Sequence, residues 1–339
     1  MGYSPEGVIR VSHLTKHYGG HVAVDDVSFE VGRGEVVGFL GPNGAGKTTT
    51  LRILAGVLGP TSGTAHIAQH DVVEDSFEAR RSIGYMPEAV PLYPEMRVVE
   101  YLRFRAELKR VRRAERTGHV EEAMEKAGVL DVAHKRIDHL SKGYRQRVGI
   151  ADAIVAKPPI VVLDEPTAGL DPNQIRQARA LVRDLGREHT VVLSTHILSE
   201  VEACATRVLL IHRGRLVAQG ATSDIRTMRQ GAGIEISVRG DAGAIDVALQ
   251  SISGVASVAR LESPGRATGS VARFRVIWTG ALSADDRGIE TERVVAALAT
   301  AGLGVREVHP ATGSLEDVFA ALTTDSSEPP IAESSPAPR

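Results

Sequence analysis

The segment Gly41-Pro42-Asn43-Gly44-Ala45-Gly46-Lys47-Thr48-Thr49 constrains this chain more than any other stretch. An apolar run, Val36 to Leu40, precedes it and an apolar-rich stretch from Leu51 follows. A buried strand, a glycine-rich turn and a helix from about Lys47 are therefore predicted in that order. Glycine, four residues, glycine, lysine and threonine in this setting form the phosphate-binding loop, or Walker A, pattern. Glycines let the backbone curl until several N–H groups point at phosphate oxygens. The helix behind the loop adds its positive N-terminal end. Lys47 is expected to bring a point charge to the β- and γ-phosphates, and Thr48 to offer its hydroxyl to Mg²⁺.

A second element is Ile160-Val-Val-Leu163-Asp164-Glu165-Pro166. Four apolar residues make a buried strand that delivers Asp164 at its C-terminal edge, where ligands of open α/β sheets bind. Asp164 is expected to serve Mg²⁺, and Glu165 to orient or deprotonate the attacking water. Two acids after an apolar run could also merely cap the next helix; pairing with the glycine-rich loop argues against that. Buried-strand character returns at Thr190–Ser194, with helical stretches between. Strands alternating with helices predict a mostly parallel sheet covered on both faces. Residues 8–31 alternate apolar and polar positions and read as short strands.

Length and charge narrow the rest. The 339 residues suffice for two domains, and 40 Lys+Arg against 42 Asp+Glu give a net charge of -2. No global field for nucleic acid is present, and nucleic acid is not expected as a partner. The single cysteine, Cys204, excludes an internal disulfide framework and reads as a small apolar filler in a reducing compartment. The N-terminus MGYSPEGVIR shows no signal peptide, and no run approaches the ~18 apolar residues of a membrane span.

Helical periodicity between Val98 and Ala127 marks a charged helical insert. From about residue 225, IEISVRG, AIDVALQSI, VASVARLE, VARFRVIWT, ERVVAALATAG and VREVHP read strand, helix, strand, strand, helix, strand. That is the order of small ferredoxin-like modules. A short helix is expected at Ser314–Leu322, followed by a tail whose Ser, Pro and Glu content predicts disorder. The division is thus residues 1–224 with a helical subdomain at about 89–158, an α+β accessory domain at 225–323, and a disordered tail at 324–339.

Leu140-Ser141-Lys142-Gly143-Tyr144-Arg-Gln-Arg147 resembles the signature of ABC transporter ATPases, usually LSGGQ, and stands about twenty residues before the Walker B strand. Ser141 and Gly143 match; Lys142 and Tyr144 depart. The resemblance spans residues 8–220 and implies an α/β fold: a P-loop NTPase core of the ABC ATPase kind with a helical subdomain. It implies that Ser141 and the backbone at Gly143 bind the γ-phosphate of ATP held by an opposing subunit. A serine capping a helix N-terminus suits that task. An ordinary N-cap would use the same residue.

Other positions follow from the same resemblance. Asp171, in Ala168-Gly169-Leu170-Asp171, resembles the D-loop that contacts its twin across a dimer. His196 matches the switch histidine expected to meet the γ-phosphate, and Tyr18 the aromatic that stacks on adenine. Glu88, in Ile83-Gly-Tyr-Met-Pro-Glu88, aligns with the Q-loop, where most relatives carry glutamine; it is expected to reach Mg²⁺ or the attacking water as an added anion near Asp164 and Glu165. Pro91, Tyr93 and Pro94 follow it in the segment that touches the membrane subunit in relatives. Ser314-Leu-Glu-Asp-Val-Phe resembles the ending of ATPases paired with exporters of the ABC-2 permease type.

The resemblance implies a peripheral ATPase at the cytoplasmic face of the cell membrane, without a span of its own. A second ATPase subunit would complete its sites: a homodimer is expected, with a heterodimer left open. A separate permease would carry the cargo, whose identity the sequence does not reveal, in the export direction. The rival reading is a soluble ATPase of the same kind acting on the ribosome or DNA. One cassette rather than two, and an insert of roughly 70 residues without sustained heptads, argue against it.

Overall fold

The computed structural model describes residues 7–223, 233–261, 271–279, 282 and 284–311. The chain divides into two units, Met1–Thr222 and Ser223–Arg339.

In the first unit, β1 (Gly7–Tyr18) and β2 (His21–Gly32) pair antiparallel, and β1 also pairs with β4 (Ser62–Ile67), which carries the short β5 (His70–Asp71). The short strands expected at residues 8–31 are in fact two strands of 12 residues each. Register shifts between Val11 and Leu14 and again around Lys16 break the alternation of side chains, so a period-two reading sees fragments where the chain runs on.

The second sheet of this unit has the order β10-β9-β3-β8-β7-β6. It comprises β3 (Val36–Leu40), β6 (Ile83–Met86), β7 (Ile160–Asp164), β8 (Thr190–Thr195), β9 (Arg207–His212) and β10 (Arg215–Ala221). All neighbours are parallel except β10 against β9. Every residue of β3, β7 and β8 is buried, as strands covered on both faces must be. Val37, Phe39, Ile160, Val162, Val192 and Leu209 share one core with Ile9, Leu14, Val27 and Phe29 of the antiparallel sheet. Each such side chain contributes roughly 1.5–3 kcal/mol by leaving water. Gly38 is required by packing: a Cβ there would lie 2.3 Å from Val201 in α7 (Leu198–Cys204).

Helices α1 (Lys47–Leu54), α2 (Ser76–Arg81) and α6 (Pro172–Leu185) accompany the strands. Between β6 and β7 the chain forms α3 (Val98–Leu108), α4 (Arg116–Lys126) and α5 (Lys142–Ile154). The buried Asp152 ties α5 to α3: Arg105 Nε donates to its carboxylate at 2.9 Å, Tyr101 Oη at 3.3 Å, and the Lys109 ammonium lies 3.0 Å away.

The second unit runs β11 (Gly233–Arg239), α8 (Ala242–Gln250), β12 (Val255–Leu261), β13 (Val271–Trp278), α9 (Ala284–Thr300) and β14 (Gly304–Pro310). Its antiparallel sheet has the order β12-β13-β11-β14. Alternate residues Ala272, Phe274, Val276 and Trp278 of β13 join Ile245 and Leu249 of α8 and Val294 and Leu298 of α9 in its core. Helix α9 starts at Ala284, eight residues before the expected Glu292, because the polar first two turns carry no apolar period to read. The helix expected at Ser314–Leu322 and the tail beyond it lie outside the described residues.

Candidate active site

Three parallel strands end at one sheet edge, and each hands its last residue to a loop that carries chemistry. β3 leads into the glycine-rich loop, β7 into Glu165, and β8 into His196. Their register sets Leu40 beside Thr195 and Asp164 beside Ser194. An open cleft of about 450 Å³ lies at this edge. Asn43 through Thr49, Tyr18, Glu88, Glu165, His196 and Ala168, the first residue of the Ala168–Asp171 segment, line it, together with His21 and Ala23, which the sequence did not single out.

The loop conformation demands glycine. Gly44 and Gly46 have φ of 77° and 102°, and a Cβ on Gly46 would lie 2.4 Å from the carbonyl oxygen of Ala23. Gly41 and Pro42 do not line the cleft; their carbonyls accept from Lys47 Nζ at 2.8 and 3.1 Å. Those bonds hold the buried ammonium in the cleft, 3.4 Å from Glu165 Oε1.

Asp164 is fully buried. Thr48 Oγ1 donates to its Oδ1 at 3.1 Å and Ser194 Oγ donates to the same oxygen at 2.6 Å, while Oδ2 has no hydrogen-bond partner among the described residues. Burial raises the carboxyl above the usual aspartate value; bonds from Ser194 and Thr48 oppose the rise, and the negative charges of Glu88 and Glu165 add to it. A hydroxyl beside a carboxylate with a spare oxygen is a hard-oxygen donor set that fits Mg²⁺. Among the described residues no group of three or more His, Cys, Asp and Glu could hold a metal ion, so phosphate and water oxygens would have to complete its coordination.

Glu165 sits at φ 47°, a left-handed conformation uncommon for a residue with a Cβ. Its N–H donates to Ser194 Oγ at 2.9 Å, and its carboxylate oxygens lie 3.1 and 3.3 Å from His196 Nδ1. Ser194 therefore serves both acids. Its only sequence signal was the Ser-Thr-His run, since the contact with Asp164 is created by strand register. Tyr18 ends β1 opposite His21, is half-exposed, and has the Lys16 ammonium 5.5 Å from its ring centroid.

Glu88 also lines a second cleft, of about 410 Å³, together with Val90, Leu92, Pro94, Asp138, Lys142 and Arg145. Pro91 and Tyr93 are not among its lining residues; the exposed Tyr93 ring packs edge-on to Phe104 and Tyr101.

Ser141, Gly143 and Asp171 are not among the residues lining the first cleft. Ser141 caps α5, accepting from Tyr144 N–H at 3.4 Å. Asp171 caps α6, accepting from the N–H groups of Asn173 and Gln174 at 2.9 Å each. Gly143 packs so closely on Gln174 that a Cβ would come within 2.7 Å of its side chain. Within one chain, then, the Ser141 segment adjoins α6 rather than the glycine-rich loop.

Residues 24–168 match the family model described as ABC transporter. The probable multidrug ABC transporter ATP-binding protein YbhF of Escherichia coli is 37% identical over 226 residues, 66% of this chain but only 39% of that protein. The Nod factor export ATP-binding protein I of Paraburkholderia xenovorans is 37% identical over 224 residues, 65% of this chain and 72% of that protein. Among solved structures, the dimeric MJ0796, a bacterial ABC transporter cassette, matches with a TM-score of 0.58 and 27% identity, over 63% of this chain and 98% of that one.

Proposed function

The chain belongs to the family of ABC transporter ATP-binding proteins, and from that premise we propose that it hydrolyses ATP as half of a head-to-tail dimer that drives a separate export permease. The observation that carries this reading is the separation of two half-sites within one chain. Lys47, Glu165 and His196 share the cleft, and Ser141 stands outside it. In this reading a second copy brings its Ser141 and Gly143 backbone to the cleft, so each ATP is gripped by two subunits. The dimeric cassette among its structural relatives supports the arrangement. A ligand shifts an equilibrium only by its differential affinity for the two states, and here the contacts from Ser141 exist only in the closed dimer.

The residues divide the labour as follows. The loop N–H groups and Lys47 bind the phosphates, and Tyr18 stacks on the base. Thr48 and Asp164 would hold Mg²⁺, with the Glu88 carboxylate as a further oxygen donor, and the ion would offset charge on the phosphate oxygens. Glu165 orients a water in line with the γ-phosphate and accepts its proton, so that water adds to phosphorus as the bond to ADP breaks. His196, against the Glu165 carboxylate, reports whether the γ-phosphate is present. Loss of that phosphate removes the shared grip and reopens the dimer. Asp171, at the start of α6, is assigned to the contact between the two copies.

The permease is assigned to the segment after Glu88, which lines both clefts. No helix among the described residues is long and apolar enough to cross a membrane, so attachment at the cytoplasmic face would be through that partner. Export is taken from the printed function of the Nod factor relative. The test is Glu165→Gln. It should bind ATP, lose turnover and accumulate as an ATP-held dimer; hydrolysis at the original rate would remove Glu165 from its role. Membrane association that appears only with a co-expressed permease would separate the transporter reading from a ribosomal one.

A further inference from the structure

We propose that Glu200 is a positioning residue, a buried brace that keeps the Glu165 segment and the His196 segment in mutual register; the inference rests on the hydrolytic roles proposed above. Glu200 lies in α7 and is 2% exposed. One of its carboxylate oxygens, Oε2, accepts from Thr167 Oγ1 at 2.7 Å and from Thr195 Oγ1 at 2.7 Å. Thr167 is two residues beyond Glu165, and Thr195 immediately precedes His196. One oxygen atom therefore joins the two loops whose side chains meet in the cleft.

The geometry around each loop gives the brace its purpose. Thr195 Oγ1 also accepts from Ile197 N–H at 3.0 Å, so the same hydroxyl pins the backbone on both sides of His196. Glu165 holds a left-handed backbone, which persists only where neighbours impose it. Ser194 supports that backbone from the strand side at Glu165 N–H, and the bond from Thr167 to Glu200 supports it from the far side. A carboxylate at such depth is costly unless it is hydrogen-bonded and near a cation. Arg179 of α6 stands 3.8 Å from its other oxygen. If the position only needed filling, a leucine would avoid that cost. Thr195 belongs to the stretch that enters α7, five residues before Glu200, whereas Thr167 lies 33 residues away; a carboxylate serving only its own helix start would not make the Thr167 bond.

Thr167 and Thr195 are donors to Glu200, so an acceptor oxygen matters more than the charge. Glu200→Gln should keep kcat within about threefold of the parent, because the amide oxygen can accept both hydroxyls. Glu200→Leu should lower kcat about tenfold or more while KM for MgATP, and the Kd for a non-hydrolysable ATP analogue, stay within about twofold. Thr167→Val removes one arm and should give an intermediate loss, about threefold, again in kcat alone. If Glu200→Leu does not fold, the Gln and Thr167 variants still decide the matter.

Wild-type kcat in Thr167→Val and Glu200→Leu would overturn the proposal. So would a loss expressed in KM, or a loss as large in Glu200→Gln as in Glu200→Leu. Glu165→Gln is measured alongside. Full turnover in that variant sinks the parent reading, whereas a dead Glu165→Gln beside a fully active Glu200→Leu sinks the brace alone.

Discussion

Asp164 and Glu165 are neighbours in sequence with different surroundings. Asp164 is fully buried, held by Thr48 and Ser194, and its carboxyl is raised first by burial and then by the charges of Glu88 and Glu165. Glu165 turns into the cleft toward Lys47 and His196. Glu88 therefore adds an anion that opposes ionisation of Asp164, and at the proposed cation site it would add to the charge an ion has to meet. Wild-type turnover should depend more steeply on Mg²⁺ concentration than turnover of Glu88→Gln, because the extra charge must be neutralised by the ion. Superimposable Mg²⁺ titrations of the two proteins would refute this. Residue type alone pointed to every acid at this edge. It did not point to Ser194 or to the tie made by Glu200, because Asp164 lies 30 residues from Ser194 and Thr167 lies 33 residues from Glu200, and these pairs meet only through strand register and helix packing.

Helix α5 carries Ser141 at its N-cap and Asp152 near its other end, so whatever holds Asp152 also aims Ser141. Burial alone would raise Asp152, but the Lys109 ammonium and the Arg105 guanidinium outweigh it and hold the carboxyl below its usual 3.8. A carboxyl depressed on folding stabilises the fold above its unfolded value, and that contribution fades as pH falls through the lower folded value. Asp152→Asn leaves two cations facing a neutral side chain and should cost about 3 kcal/mol or more at pH 7. Urea unfolding at pH 7 should show that gap in full, with the two proteins converging only as pH drops below 3.8. An equal gap at both ends of the range would mean that the charge does not matter. The periodicity of α3 and the helix start at Ser141 were legible in sequence, but the tie between α3 and α5 was not, since Arg105 and Asp152 are 47 residues apart.

At the scale of the whole molecule, the proposed dimer makes its sites in trans. A Ser141→Ala protein has sound phosphate loops and no partner serine to offer; Lys47→Ala has the reverse. Mixing the two inactive proteins should restore about a quarter of wild-type hydrolysis, because half of the randomly formed dimers then contain one intact site. No recovery on mixing would argue that each chain completes its own site.

The sequence by itself determined the three strands that end at the cleft and most of the residues that line it. The glycine-rich loop needs positive φ at Gly44 and Gly46, the all-apolar runs of β3, β7 and β8 fit only strands covered on both faces, and these demands are local. Tertiary structure decided the rest. It joined β1 and β2 across broken register into long strands, set Ser194 beneath both acids, buried Glu200 between two loops, and kept Ser141 away from its own chain's phosphate loop. Each of those outcomes depends on which strands become neighbours and how far a helix is pushed against them, a property of packing that no short stretch of residues encodes.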